Sequence, residues 1–253
     1  MDVAELIDAL GGLAPLVAEH RAAFDANGRL PDDLVERLAA LGLFKLLLPS
    51  TLGGPGLSAL EFMDVVEAAA ALDGTIGWLV GNGGGMARVG GYLPEASARA
   101  IYDDPAAFVV SSTGALGHAV RVPGGYRVTG RWPFGSGSPH GTWFAPVCAV
   151  EDDGEATGEV IFVLVPRHDV VLHDNWHVSG LRATGSVDFE IAEAFVPDDF
   201  AIAFQPEPTQ PGTLYRLPTR SIFTWTVATV PLGIAAGAID DFVTTARSAK
   251  RSS

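Results

Sequence analysis

The sequence predicts an α+β fold: an N-terminal all-α domain, a middle antiparallel β-barrel-like domain, and the start of a C-terminal helical bundle. Three observations carry this expectation. Apolar residues recur at helical spacing from Met1 to about Asp103, a period of two replaces that spacing near Ala106, and the helical pattern returns from about Thr219. The implied boundaries are 1–105, 106–212 and 213–253. In PDDLVERLAALG, Leu34, Leu38 and Leu41 mark one buried face, Pro31 suits the first turn and Gly42 the position past the end. Ser58-Ala-Leu-Glu61 has the form of a capping box, with Leu57 and Phe62 placed as its hydrophobic staple. The helix that follows runs to about Asp73 and buries Phe62, Val65, Val66, Ala69 and Leu72. A further apolar helix is expected through Thr75 to Val80, ended by a turn at Gly81-Asn-Gly-Gly-Gly85, glycines that would also let a ligand approach closely, and another helix after Pro94.

Beyond Ala106, Tyr126, Val128, Trp132 and Phe134 alternate with Arg127, Thr129 and Arg131, which predicts a strand with one packed face. Pro123-Gly124-Gly125 supplies the turn of a hairpin ahead of it. Val160 to Val165 is a continuous apolar run, Val187 to Val196 alternates in part, and the acid-rich Glu151 to Glu159 suggests an exposed loop. The last helix passes Pro231 as a kink. Its apolar residues Ile222, Phe223, Trp225, Val227, Val230, Ile234 and Phe242 lie on more than one face, so part of it is expected to stay bare and favour association.

The formal net charge of −14 over 253 residues argues against nucleic acid or an anionic lipid surface as partner. The basic cluster from Arg247 to Arg251 is too short to reverse this. The single cysteine, Cys148, lies in an apolar run and suits a buried residue in a reducing cytoplasm. An acidic N-terminus and the lack of an uninterrupted apolar run of spanning length predict neither signal peptide nor membrane segment.

Strong local motifs of catalysis are absent. There is no P-loop, no GxSxG and no metal-spaced Cys or His cluster. Gly54-Pro-Gly56-Leu-Ser-Ala59 fits the loose dinucleotide pattern GxGxxA, but no βαβ unit surrounds it. His173 and His177 are four apart in strand and loop context, where that spacing does not converge on a metal. His140 follows a glycine-rich stretch and suits a backbone hydrogen bond as well as a ligand contact. Asp240-Asp241 suits a solvated helix face.

Four strings in order, LGLFKLLLPSTLGGPGLSALEFMDVVEAAAALD, GGYRVTGRWPFGSGSPHGTWF, WHVSGLRATGSVDFEIAEAFVP and VPLGIAAGAIDDF, resemble the acyl-CoA dehydrogenase superfamily along nearly the whole chain. WxFxSG and GLRxTGS look most like its flavin-dependent hydroxylase branch. The resemblance implies FAD, with FMN as the alternative, held against the β-domain. Phe134 then faces the flavin ring, Ser136 its polar edge beside Gly135, and Ser111, Ser112 and Thr113, at the end of the preceding strand, its pyrimidine. Arg182, Thr184 and Ser186 fall where the family meets flavin phosphate or the nucleotide end of the ligand. Each has a plain alternative: Trp132 and Phe134 as core, Ser136 as a turn former, Arg182 paired with a neighbouring acid.

The first activity implied is dehydrogenation of an acyl-CoA thioester by a glutamate base with hydride transfer to flavin N5. The second is a monooxygenase that receives reduced flavin from a partner reductase and acts on an aromatic substrate. The third is a non-catalytic subunit completed by a partner chain or by further copies of itself. No catalytic base is legible. The family's helical glutamate aligns with Phe223, and the hydroxylase histidine has no match near Gly81 to Tyr92, where Met86 and Arg88 stand. The family's chain continues into a helical bundle, so the missing base and a cover for the last helix are expected from those helices or a partner.

Overall fold

The computed structural model describes residues 1–218 and 220–249, with the side chains of 220–223 and 249 left aside. Thr219, the residues beyond 249, and the side chains of Ile222 and Phe223 therefore lie outside the described residues.

Six helices build the first part of the chain: α1 (Val3–Gly11), α2 (Ala14–Asn27), α3 (Asp32–Ala40), α4 (Ala59–Leu72), α5 (Gly74–Met86) and α6 (Glu95–Tyr102). The expected capping box closes α4: Ser58 Oγ accepts from Glu61 N–H at 3.3 Å, and the Glu61 carboxylate accepts from Ser58 N–H at 2.8 Å. Asp2 and Glu5 form a second one at α1. Leu34 and Leu38 are fully buried on α3, while Leu41 and Leu72 are only partly covered at their helix ends.

The glycine run from Gly81 to Gly85 does not end α5; it lies inside the helix, which continues to Met86. Close packing explains this better than a turn does. A Cβ on Gly83 would stand 2.4 Å from the Phe108 ring, so only glycine lets α5 lie flat against the start of the sheet.

The sheet contains β1 (Val109–Val122), β2 (Gly125–Gly135), β3 (Trp143–Asp152), β4 (Glu155–Val163), β5 (Val165–Pro166), β6 (Val171–His173), β7 (Val187–Pro197) and β8 (Ala201–Ala203). Its order is β6-β7-β2-β1-β3-β4-β8, with β5 also on β3; β1 and β3 are parallel and the other pairs antiparallel. The hairpin at Pro123-Gly124 is present, pairing Val122 with Gly125. The acidic stretch expected as a loop is instead a solvent-facing hairpin. β3 and β4 pair up to Asp152 and Glu155, and turn through Asp153 and Gly154 at positive φ. Its exposure is as the charge predicts, but the stretch is paired itself, Glu151 with Ala156 and Asp152 with Glu155, in continuation of the apolar halves of both strands.

α7 (Arg220–Ala249) carries Pro231 in its interior and packs on α4. Val230 is buried and Trp225 partly so, whereas Val227, Leu232, Ile234, Ile239 and Phe242 are exposed. By length and composition alone the stretch Thr224–Ser248 would serve as a membrane span, a test that core helices also pass; it is not an uninterrupted apolar run, since Asp240, Asp241 and Arg247 fall within it.

Candidate functional site

The alternation along β2 fails where the site forms. Tyr126, Val128 and Trp132 are buried as their spacing predicts, but Phe134, expected on the same face, is 65% exposed. The register against β7 shifts between Val128 and Gly130 and again between Trp132 and Gly135, and these irregularities turn the end of the strand over. Phe134 itself has φ of +61°, a left-handed conformation that costs a bulky residue about 1 kcal/mol. Its ring meets Trp176 edge to face at 6.2 Å and otherwise faces solvent.

Ser136, two residues on, is buried in a chain of hydroxyls. Trp78 Nε1–H on α5 donates to Ser136 Oγ at 2.8 Å. Ser136 and Ser186 Oγ lie 2.8 Å apart, Ser186 and Thr184 Oγ 2.6 Å apart, and Thr184 Oγ1 donates to Leu181 C=O at 2.8 Å. An indole N–H only donates and a carbonyl only accepts, so the chain has one direction: Trp78 to Ser136 to Ser186 to Thr184 to Leu181. The Ser136 proton is thereby committed, and its free lone pair is left as an acceptor. On the other side, Ser112 Oγ donates to Pro133 C=O at 2.6 Å and ties β1 to the residue before Phe134.

These groups meet at one cavity of about 250 Å³, walled by Trp78, Asn82, Ser111 to Gly114, Phe134, Ser136, Thr226 and Val227. Five of the nine expected residues, Ser111, Ser112, Thr113, Phe134 and Ser136, line it. Gly135 adjoins, and Thr184 and Ser186 stand behind Ser136, both buried with their hydroxyls satisfied internally. Arg182 is not brought into it; its guanidinium lies half-exposed, 3.9 Å from Asp25. Ser111 to Thr113 do not end their strand: β1 runs on to Val122 past an irregularity between Ser112 and Gly117. Trp78, Asn82, Gly114, Thr226 and Val227 are the lining residues that sequence reasoning missed. The i, i+4 spacing of Trp78 and Asn82 on one helix face was the available signal.

The histidines are elsewhere. His173 Nε2 is 2.8 Å from Glu190 on the neighbouring strand, and no group of potential metal ligands occurs among the described residues. Cys148 is fully buried, and burial pushes its thiol up to about 12. Gly54 to Ala59 forms the turn into α4 with no strand before it, unlike a dinucleotide fingerprint.

His140 is enclosed, 3.8 Å from Asp32, with Nε2 lacking a partner. Burial pulls its pKa down to about 4, helped by the Arg29 charge and opposed by Asp32. The folded protein therefore holds it neutral where the unfolded chain, titrating near about 6.5, takes up a proton. Stability should fall as pH drops from the unfolded value toward about 4, and be independent of this group above that window. Urea midpoints across that range should fall less steeply for His140→Gln than for the native protein; equal slopes would rule this out.

Comparison with known proteins supports the α+β architecture. Residues 13–91 match the family model "Acyl-CoA dehydrogenase, N-terminal domain". The chain is 32% identical over 248 residues to a pigment production hydroxylase of Rhodococcus sp. (strain ATCC 21145), covering 94% of this chain and 64% of the relative. To the flavin-dependent monooxygenase oxygenase subunit HsaA of Rhodococcus jostii it is 30% identical, with 92% of this chain and 63% of that one covered. The structure of XiaF from Streptomyces sp., in complex with FADH2 and glycerol, superposes with a TM-score of 0.87 at 30% identity, over 96% of this chain and 63% of that one. HsaA from M. tuberculosis superposes at 0.90 and 27% identity, over 100% and 69%. The chain is thus similar to proteins of the acyl-CoA dehydrogenase superfamily, and among them to flavin-dependent hydroxylases. It spans a little under two thirds of the length of these curated relatives.

Proposed function

We propose that the chain holds the flavin of a two-component monooxygenase, with FAD as cofactor and a separate reductase as the source of reduced flavin. The observation that carries this reading is the single cavity at which Phe134, Ser136 and Ser111 to Thr113 converge. The residue set suits a flavin. An outward aromatic ring offers a stacking face, a buried hydroxyl with a spare lone pair can accept from a ring N–H, and strand hydroxyls can pair with a polar heterocycle edge. Relatives whose names describe hydroxylases and oxygenase components, one of them an FADH2-dependent resorcinol hydroxylase, support the monooxygenase reading over the dehydrogenase that the sequence put first.

Reduced flavin supplies the activation of dioxygen and the transfer of one oxygen atom to substrate. The protein's own part is positional. Phe134 presents a ring at the mouth, Ser136 is oriented by Trp78 and Ser186, and Asn82 and Thr226 bound the cavity on the helical side. Titration of the purified protein with FAD and FMN, read by flavin fluorescence, tests the assignment. Phe134→Ala and Ser136→Ala should each weaken binding about tenfold, the worth of one aromatic contact or one buried hydrogen bond. Phe134→Gly should weaken it as much while leaving the thermal midpoint unchanged or higher, because glycine relieves the left-handed backbone. Native affinity in all three variants would remove the flavin from this cavity.

A further inference from the structure

A second cavity adjoins the first through Asn82 and Thr226, which line both. Its walls are otherwise apolar, with Met86, Val89, Phe162 and Ile202 among them, and Arg88 is the one charged residue there. Arg88 is 1% exposed. Its Nη2 donates to Leu217 C=O and its guanidinium lies 5.2 Å from the centre of the Tyr92 ring, but Nε and Nη1 have no hydrogen-bond partner. Among the described residues no carboxylate is within ion-pair distance of it. A buried cation with unmet donors is costly to keep, since each unsatisfied charged group forfeits its hydration without return. Tyr92 and Tyr215, the other titratable groups facing it, cannot supply the missing anion, because burial pushes both phenols up to about 12 and keeps them neutral.

We infer that Arg88 is the recognition point for the carboxylate of a small apolar or aromatic acid, bound beside the flavin cavity. The planar guanidinium matches a carboxylate geometrically, and the missing acceptors are those such a group provides. The whole cavity that Arg88 lines holds about 30 Å³ of free space, enough for the acid group alone. The cavity opens past Ala203, which is exposed, and the partly buried Pro206, so the body of the ligand can lie toward that mouth against the apolar wall. As a substrate site this deepens the flavin reading and rests on it; as an acid-binding site it stands on Arg88 alone.

The test is calorimetric titration of the purified protein, with and without FAD, using benzoate and its uncharged isostere benzamide. The expected result is about tenfold or greater preference for benzoate, the worth of a charge-assisted hydrogen bond in a buried site. Arg88→Met should abolish the preference and Arg88→Lys retain part of it. Equal binding of the two compounds, no binding of either, or a preference that survives Arg88→Met would each overturn the inference. If Arg88→Met fails to fold, the native comparison together with Arg88→Lys decides. Benzoate preference without FAD binding would sink the flavin reading and leave the acid site; FAD binding without benzoate preference would do the reverse.

Discussion

Replacing Trp132 by alanine is expected to lower the unfolding free energy by about 4 kcal/mol, the largest single loss in the sheet. The indole is fully buried, donates Nε1–H to Val147 C=O at 2.9 Å, and stacks on Phe189 with ring centres 5.5 Å apart. It belongs to the cluster that fills the space between β1, β2, β3 and β7, beside Phe144 and Ile191. The surrounding backbone cannot collapse into the vacated volume, because Gly117 already stands against the ring: a Cβ there would lie 2.0 Å from it. Truncation therefore leaves both a cavity and an unmet carbonyl at Val147. In a domain of this size the thermal midpoint should drop by roughly 10 °C, read by calorimetry. A drop of only a degree or two would mean that Trp132 is not the keystone of this cluster.

Gly77→Leu is expected to destabilise the helical part by about 3 kcal/mol, although leucine is the better helix former by nearly 1 kcal/mol. A Cβ at Gly77 would meet the Ala70 Cβ at 2.4 Å and its Cα at 2.5 Å, so α5 would have to lift away from α4. Ala70 is held from the other side too: a Cβ on Gly233 of α7 would come within 2.6 Å of its Cβ. The three helices thus touch backbone to backbone, and a side chain in that seam has no flexible neighbour to displace. Urea unfolding of Gly77→Leu should show an earlier midpoint; an unchanged or later one would show that the seam can open at little cost.

Much of this architecture was legible in the residues. Ser58 and Glu61 marked the start of α4, Pro123-Gly124 marked the hairpin, and the change of period near Ala106 marked the start of the sheet. Those signals are local, and local hydrogen bonding settles them. The run Gly81 to Gly85 misled because its cause is not local: glycine is required by packing rather than by a turn, at 81 by Thr226, at 83 by Phe108 just ahead of β1 and at 84 by Leu43. Phe134 misled for a related reason. Its place in the alternation was correct by count, and only the register shifts against β7, a property of two strands together, turn it outward. Of the candidate site, the seryl and threonyl positions on β1 and β2 could be listed from pattern and resemblance. Their convergence with Trp78 and Thr226 could not, because α5 and α7 reach the cavity from positions far apart along the chain. Arg88 stood out only as the residue where a histidine was sought; the unmet donors that make it interesting are visible only in three dimensions.

The backbone at Phe134 has a consequence for anyone who diversifies this protein and selects on robustness. A residue that sits in a disfavoured conformation, touches little and faces solvent is the kind that heat or protease selection discards. Libraries screened for survival alone should converge on glycine at this position within a few rounds. Libraries screened for cofactor retention should keep an aromatic there, and the two populations, sequenced side by side, would record which force holds the residue in place.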